Sequence, residues 1–111
     1  MPDETAVFAS NTHFRVPRTG RVIRLKTWPE FFGDVIADLK THEIRVNDRD
    51  FQVGDVLLLE EWNPHLTPAG PIGYSGRYTA RLVTYVTPGG KWNLPANVCV
   101  MSIAPHPEPL P

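Results

Sequence analysis

Cysteine is almost absent from this sequence, in which Cys99 stands alone. A single cysteine excludes an intramolecular disulfide, and nothing else in the composition indicates an oxidising compartment. Because Cys99 lies in the apolar run Val98–Met101, we expect its thiol to be buried and to pack as a small hydrophobic group rather than to act as a nucleophile.

Patterns that hold metals and cofactors are also missing. There is no glycine-rich phosphate loop and no serine–histidine–aspartate order. The histidines are scattered without the spacing of a metal site; they are His13, His42, His65 and His106. We therefore expect neither a metal nor a cofactor.

Long apolar runs and a large charge excess are lacking as well. No stretch approaches the roughly 20 apolar residues of a membrane span, and the acidic N-terminus does not resemble a signal peptide. We therefore expect a cytoplasmic protein without membrane contact. The net charge of −1 at pH 7 excludes a uniformly basic surface, so any contact with nucleic acid must use a local positive patch.

Five of the twelve prolines lie at the ends of the chain, one at Pro2 and four within residues 105–111. A length of 111 residues leaves room for one domain with one core. We expect a flexible N-terminal arm over 1–19, in which Val7–Phe8 or His13–Val16 is a candidate edge strand. The folded domain should cover 20–104. The proline-rich tail over 105–111 should be extended, because proline lacks the N–H that helices and sheets need.

One helix is predicted near the start of the domain. Arg21–Lys26 has the composition of a strand, and the spacing of Thr27 and Glu30 around Pro29 is typical of a helix start with a capping box. The helix should extend from Pro29 to about Leu39, with one apolar stripe that consists of Phe31, Phe32, Val35, Ile36 and Leu39.

The rest of the domain is predicted to be β-structure. The nearly continuous apolar run Val56–Leu59 indicates a strand buried on both faces, and residues 63–75 should form a long surface loop. Strands are expected at 42–46, 56–62, 77–86 and 97–103. One helix followed by at least four strands predicts an α+β fold with a closed or half-closed barrel.

Several motifs resemble a known family. They are Leu25-Lys26-x-x-Pro29-x-x-Phe32-x-x-Val35, Lys40-Thr41-x-Glu43-Ile44-Arg45, Asn47-Asp48-Arg49-x-Phe51-x-Val53-Gly54-Asp55 and Glu60. Over about residues 21–104 the chain resembles a family of small, mostly uncharacterised bacterial and phage proteins of the PUA-like superfamily, related to the ASCH domains. The resemblance implies a PUA-like, ASCH-like small β-barrel with one main helix, which binds RNA or modified nucleotides.

The resemblance also implies a catalytic alternative. In ASCH proteins that hydrolyse N4-acetylcytidine, a lysine just after the first helix is catalytic, and a threonine follows three residues later. Lys40 matches that lysine, whereas Glu43 stands at the position of the threonine. An amidohydrolase on N4-acylated cytidine, or a weak ribonuclease, would use Lys40 and Glu43. The missing threonine favours binding of RNA or a nucleotide over hydrolysis.

The residues themselves support a ligand site here. Strand alternation places Glu43 and Arg45 on one face, and Lys40 lies at the corner between helix and strand. Arginine presents a bidentate fork to a phosphate or a base edge, and glutamate accepts from an exocyclic amine. The alternative is that Glu43 and Arg45 only pair with neighbours across the sheet.

Other candidates lie further from this corner. Arg49 either contacts a ligand or braces the turn 47–50, while Tyr85 and Trp92 are the best candidates for stacking on a base. A run of basic residues is either a phosphate-binding stripe or a solvated edge. Strand alternation places Arg21 on the opposite face from Arg24 and Lys26. The run consists of Arg15, Arg18, Arg21, Arg24 and Lys26.

A third interpretation is that the protein is an interaction factor of the phage type. It would use the 63–75 loop and the proline-rich tail to bind another protein. The sequence leaves the oligomeric state open.

Overall fold

The computed structural model describes residues 16–65 and 72–106. The candidate strands at Val7–Phe8 and His13–Val16, the middle of the 63–75 loop and the tail after His106 lie wholly or mostly outside these residues. The described chain folds into one helix and five strands: β1 (Val22–Thr27), α1 (Pro29–Ile36), β2 (His42–Val46), β3 (Val56–Trp62), β4 (Tyr74–Thr87) and β5 (Val98–Pro105).

The strands form one mixed sheet in the order β1-β3-β4-β5-β2. β1 pairs with β3 in parallel, and the other neighbours are antiparallel. The two edge strands, β1 and β2, are consecutive along the chain and are connected by α1. The sheet is curved into a half-barrel. An α+β fold with a half-closed barrel is therefore confirmed.

The core lies inside the curve of the sheet and is centred on β3. Leu57 and Leu59 are fully buried there, and Leu58 on the opposite face is half-buried, as the apolar run predicts. Cys99 of β5 is also fully buried, which confirms that its side chain packs in the core. Among the described residues, no helix has the length and apolar character needed to cross a membrane.

The helix is shorter than predicted. α1 ends at Ile36, not at Leu39, because Asp38 adopts a left-handed conformation with a φ of 59°. The amide of Asp38 donates to the carbonyl of Val35, and the amide of Leu39 donates to the carbonyl of Asp34. This pair of bonds is a Schellman motif, which satisfies the last carbonyls and ends the helix.

The predicted apolar stripe is also too wide. Phe32 and Val35 are buried against the sheet, where α1 contacts β3. Three other members of the stripe are exposed: Phe31 by 45%, Ile36 by 44% and Leu39 by 78%. An eight-residue helix buries only a narrow face, and the prediction that Ile36 packs against the sheet is wrong.

The capping box predicted at the helix start does not form. Trp28 is the N-cap residue and makes no side-chain capping bond, while Pro29 occupies the first turn. Thr27 is still part of β1, and its side chain points inward, with the residue only 3% exposed. The threonine is therefore available for a different contact.

The Asn47–Asp55 motif is held by internal hydrogen bonds. The Asn47 side chain accepts from the amide of Phe51 at 2.9 Å. Asp55 is fully buried, and its carboxylate accepts from the amide of Gln52 at 2.8 Å and from Arg21 Nη2 at 2.8 Å. The hydroxyl of Thr19 donates to the other oxygen of Asp55, so the end of the predicted arm is attached to the domain.

Candidate functional site

The two edges of the half-barrel are bridged by one side chain. Arg45 lies on β2, and its Nη1 donates to the backbone carbonyl of Lys26 on β1 at 3.0 Å. Its Nη2 donates to Thr27 Oγ1 at 3.3 Å. The candidate site lies at this seam between β1 and β2.

Glu43 is a buried carboxylate beside the seam. Alternation along β2 turns Glu43 inward, opposite Met101 of β5, and leaves it 2% exposed. Its Oε1 accepts from Arg45 Nε at 2.9 Å, and its Oε2 accepts from Lys40 Nζ at 2.6 Å. Burying a carboxylate is costly unless it is paired with cations, and here a cation contacts each oxygen.

Lys40 reaches Glu43 because of the way the helix ends. The Schellman motif turns the chain, and the amide of Lys40 also donates to the carbonyl of Asp34 at 3.1 Å. The Lys40 ammonium then donates to the carbonyl of His42 and lies 5.9 Å from the centre of the Phe31 ring. Its side chain is 18% exposed, so the ammonium is only partly shielded from solvent.

These groups form the floor of a cavity of about 320 Å³, which we call the Glu43 cleft. Trp28 and Phe31 line it and are 44% and 45% exposed, respectively. The Trp28 ring is held edge-to-face against Trp62, with 5.5 Å between the ring centres. The complete lining is Lys26, Thr27, Trp28, Phe31, Lys40, His42, Glu43, Ile44 and Arg45.

The Glu43 cleft is positively charged. Its lining carries three cations, Lys26, Lys40 and Arg45, and one carboxylate, Glu43, which leaves a net charge of +2 if His42 is neutral. The whole chain has a net charge of −1. The cleft is therefore a local positive patch of the kind that the overall charge requires for binding an anion.

The three residues at the predicted helix–strand corner are brought together. Lys40, Glu43 and Arg45 form one ion-pair cluster that lines the cleft. The cross-strand neighbours of Glu43 and Arg45 on β5 are Met101 and Cys99, so the ion pairs are not formed directly across that strand pair.

Arg49 lies outside the Glu43 cleft. Its Nε is 3.9 Å from Asp48 Oδ1, and its side chain is 52% exposed. It lines a neighbouring cavity together with Arg24, Lys26 and other residues. The structure therefore places Arg49 beside the cluster but not within it.

The two predicted stacking residues lie elsewhere. Tyr85 is 63% exposed, and its register partner, Ser102, is exposed too; both lie on the outer face of the sheet. Trp92 is 84% exposed and has a φ of 56°, followed by 60° at Asn93. The structure does not bring these two aromatic residues into the lining of the cleft.

Six of the nine lining residues are not among the predicted ligand contacts: Lys26, Thr27, Trp28, Phe31, His42 and Ile44. Thr27 was interpreted as a helix cap, although its alternation with buried Leu25 indicated an inward side chain. Lys26 belongs to the basic run, which the sequence interprets as a phosphate-binding stripe or a solvated edge. Trp28 is not one of the two predicted stacking residues, and the spacing of Phe31 fits the helical stripe, which predicts burial in the core.

Metal ligands are not grouped in the described part of the chain. There, no three histidine, cysteine, aspartate or glutamate side chains lie close enough together to hold an ion.

The matched region of the chain contains the whole cleft. Residues 22–103 match a protein family described as a domain of unknown function (DUF3850). The chain belongs to this family. All lining residues of the Glu43 cleft fall within the DUF3850 domain, and the expectation of a small uncharacterised domain family is confirmed. The comparison with curated proteins gives no match.

Proposed function

We propose that this DUF3850 protein binds a nucleotide, free or within single-stranded RNA, with the base in the Glu43 cleft. The observation that carries the proposal is the Lys40–Glu43–Arg45 cluster, in which Glu43 is buried and the two cations are partly exposed, in one cavity with two partly exposed aromatic rings. Such a site offers an apolar surface to the base and charged donors to its polar edge or its phosphate.

The aromatic rings support a planar ligand. Trp28 and Phe31 line the same cavity, and the edge contact with Trp62 restricts the orientation of Trp28. A base stacked on an aromatic ring gains roughly 1–3 kcal/mol, regardless of its identity. A stiff ring at the cleft mouth also loses little freedom when the ligand binds.

The cluster still offers a hydrogen-bond donor to a ligand. An ammonium has three N–H groups, and Lys40 uses them on only two acceptors, His42 and Glu43. Both oxygens of Glu43 already accept from cations, so the cluster presents hydrogen-bond donors rather than acceptors to a ligand. A carbonyl or phosphate oxygen fits this arrangement better than an exocyclic amine.

The fold is consistent with a PUA-like, ASCH-like relationship. A curved sheet with one helix beside its open seam is the layout implied by the motifs around Lys40 and Asn47–Asp55. We propose this relationship on the motifs and the layout together. Under it, Lys40 occupies the sequence position of the catalytic lysine of the ASCH hydrolases, just after the first helix.

The test is a binding titration with labelled single-stranded RNA, double-stranded RNA and single-stranded DNA. We expect single strands to bind, and affinity to fall between about 50 and 200 mM salt because phosphate contacts release counterions. Trp28→Ala should weaken binding about tenfold or more, as loss of one stacked base implies. Lys40→Ala should weaken binding. Because it leaves buried Glu43 with one cation, it should also lower the free energy of unfolding, so circular dichroism checks that the variant is folded.

Trp92→Ala and Tyr85→Ala are the matched controls, since both remove exposed aromatic rings that do not line the cleft. We expect both to bind like wild type. Equal losses in Trp28→Ala and Trp92→Ala would place the ligand on another surface. Failure of all three nucleic acids and of free nucleosides to bind at low salt would favour the protein-interaction alternative.

Hydrolysis is a second candidate, favoured by one distance. Lys40 Nζ lies 2.6 Å from Glu43 Oε2, which is within proton-transfer range. Water would attack the acetyl carbonyl of N4-acetylcytidine, the C–N bond would break, and the leaving cytosine nitrogen would take up a proton. Glu43 would accept the proton of water, and Lys40 would polarise the carbonyl.

This candidate is tested by measuring the turnover of N4-acetylcytidine to cytidine and acetate. Lys40→Ala and Glu43→Gln should both abolish turnover if the pair is catalytic. Binding of N4-acetylcytidine without turnover in wild type would exclude hydrolysis and leave the binding function intact.

A further inference from the structure

A second concavity, which we call the Arg49 groove, lies beside the Glu43 cleft. Its volume is about 730 Å³. Lys26 lines both cavities, so the cleft and the groove are adjacent. The groove is lined by Arg24, Leu25, Lys26, Arg49, Glu60, Tyr74 and Gly76.

The charge of the groove is unevenly distributed. Arg24 binds Glu60 through two hydrogen bonds, from Nε to Oε1 at 3.1 Å and from Nη2 to Oε2 at 2.7 Å. This bidentate pair neutralises the one carboxylate of the lining. The remaining cations are Lys26 and Arg49, which give the groove a net charge of +2.

Arg49 combines a fixed backbone with a weakly held side chain. Its carbonyl accepts from Arg21 Nη2 at 3.0 Å, and Arg21 is in turn bound to the buried carboxylate of Asp55. Among residues 16–65 and 72–106, by contrast, the guanidinium has only the 3.9 Å ion pair with exposed Asp48. Such an arginine can turn its fork towards an incoming phosphate at small energetic cost.

A smaller cavity joins Arg49 to the cluster in the cleft. It has a volume of about 250 Å³, and both Arg45 and Arg49 line it. Lys26 lies on the other connection between the two sites, with its ammonium 4.6 Å from the centre of the Trp62 ring. The cations of the cleft and the groove therefore lie along one seam, where Asp48 is the carboxylate that lines the smaller cavity.

We propose that the Arg49 groove binds a phosphate group attached to the nucleoside whose base occupies the Glu43 cleft. Arg49 and Lys26 are the phosphate ligands. The inference rests on the proposed function and narrows it, because the ligand is then a nucleotide or an RNA strand rather than a free nucleoside. The phosphate belongs either to a mononucleotide or to an internal phosphodiester, which share the same chemistry.

The experiment compares the four ribonucleosides, their 5′- and 3′-monophosphates and a single-stranded RNA of mixed sequence by calorimetric titration. For wild type, we expect a phosphate to raise affinity about tenfold over the matching nucleoside, as one charge-assisted contact implies. Arg49→Gln should lose most of this gain, since only Lys26 remains as a phosphate ligand, and should keep the affinity for the nucleoside. For RNA, the slope of the logarithm of affinity against the logarithm of salt concentration should decrease by the amount expected for the loss of about one phosphate contact.

Two further variants are measured in the same titration: Arg49→Lys is the conservative variant, and Lys91→Gln is the control. Arg49→Lys retains the charge without the fork, so it should keep part of the gain. Lys91 is exposed in the turn after β4 and lines neither cavity, so Lys91→Gln should match wild type.

A gain in affinity as large for a monophosphate as for RNA identifies a terminal phosphate, and a larger gain for RNA identifies a phosphodiester.

The possible failures are distinguishable. If nucleosides bind but a phosphate adds nothing, or if Arg49→Gln keeps the gain, the groove is not a phosphate site and the cleft proposal stands. If no nucleoside, nucleotide or RNA binds, both proposals are overturned.

Discussion

Arg45 Nη1 donates to the backbone carbonyl of Lys26 at 3.0 Å, and this bond joins the two edge strands of a five-stranded sheet. The same guanidinium contacts buried Glu43 through Nε at 2.9 Å. One side chain therefore both spans the seam of the half-barrel and compensates a buried charge. Stability and the candidate site depend on the same residue.

Arg45→Met should lower the free energy of unfolding by about 2–3 kcal/mol, since it leaves a buried carboxylate with one cation and removes the bridge to β1. Urea denaturation measures the change. The control is Arg24→Met, which removes an arginine from an ion pair whose arginine side chain is 71% exposed; its loss should stay below about 1 kcal/mol. Equal losses in both variants would contradict a special role for the seam.

Asp55→Asn should lower the free energy of unfolding by about 2–3 kcal/mol, because the amide cannot satisfy the donors that surround the buried carboxylate. A double-mutant cycle with Arg21→Met should show a coupling of about 1 kcal/mol or more. Asp48→Asn is the control, since its side chain is 67% exposed, and its effect should stay within about 0.5 kcal/mol. Additive effects of the Asp55 and Arg21 changes would refute the coupling.

Two glycine substitutions should change the free energy of unfolding in opposite directions. Gly33 lies inside α1 with no heavy atom within 4 Å of an added Cβ, so Gly33→Ala should raise the unfolding free energy by about 0.5–1 kcal/mol. Gly54 has a φ of +96°, and its Cβ would overlap the carbonyl of Pro17. Gly54→Ala should therefore cost about 2 kcal/mol or more. Thermal denaturation compares the two, and stabilisation by both would show that the 17–19 segment is not packed there.

The buried thiol predicts a specific pH dependence. Burial raises the pKa of Cys99 above its ordinary value. Its contribution to stability is fully present below the unfolded-state pKa of about 8.5. That contribution is lost as the pH rises towards the higher folded-state pKa, because the unfolded chain then releases a proton that the folded chain keeps.

The measurement is the difference in unfolding free energy between wild type and Cys99→Ala from about pH 7 to pH 10, under reducing conditions. Above the unfolded-state pKa, we expect the unfolding free energy of wild type to fall relative to that of Cys99→Ala by at most about 1.4 kcal/mol per pH unit. Substitution by alanine removes the thiol and leaves other titrating groups unchanged. A difference that is constant over this range would show that the thiol is not protected.

Much of the β-structure was predictable from the sequence. The limits of β2 and β3 agree with the predicted 42–46 and 56–62, because alternation and an apolar run depend only on neighbouring residues. The end of α1 was not predictable in the same way. Leu39 continues the helical spacing, but the left-handed conformation of Asp38 ends the helix earlier, and only glycine would have made that conformation evident.

The candidate site was predictable in part. Alternation placed Glu43 and Arg45 on one face, and Lys40 followed from the end of the apolar stripe. Thr27 could not be assigned correctly, because a threonine three residues before a glutamate fits a capping box as well as a strand end. Its contact with Arg45 joins residues on strands that do not pair with each other.

The sequence by itself determined the class of fold, the strands and the sharing of one face by Glu43 and Arg45, since local periodicity decides which side chains point the same way. Only the tertiary structure decided that β1 and β2 are the two edges of one curved sheet. That curvature brings Lys26 and Thr27 to Arg45 and forms the cleft. The physical reason is that the closure of a sheet depends on pairing between distant strands, which no local pattern contains.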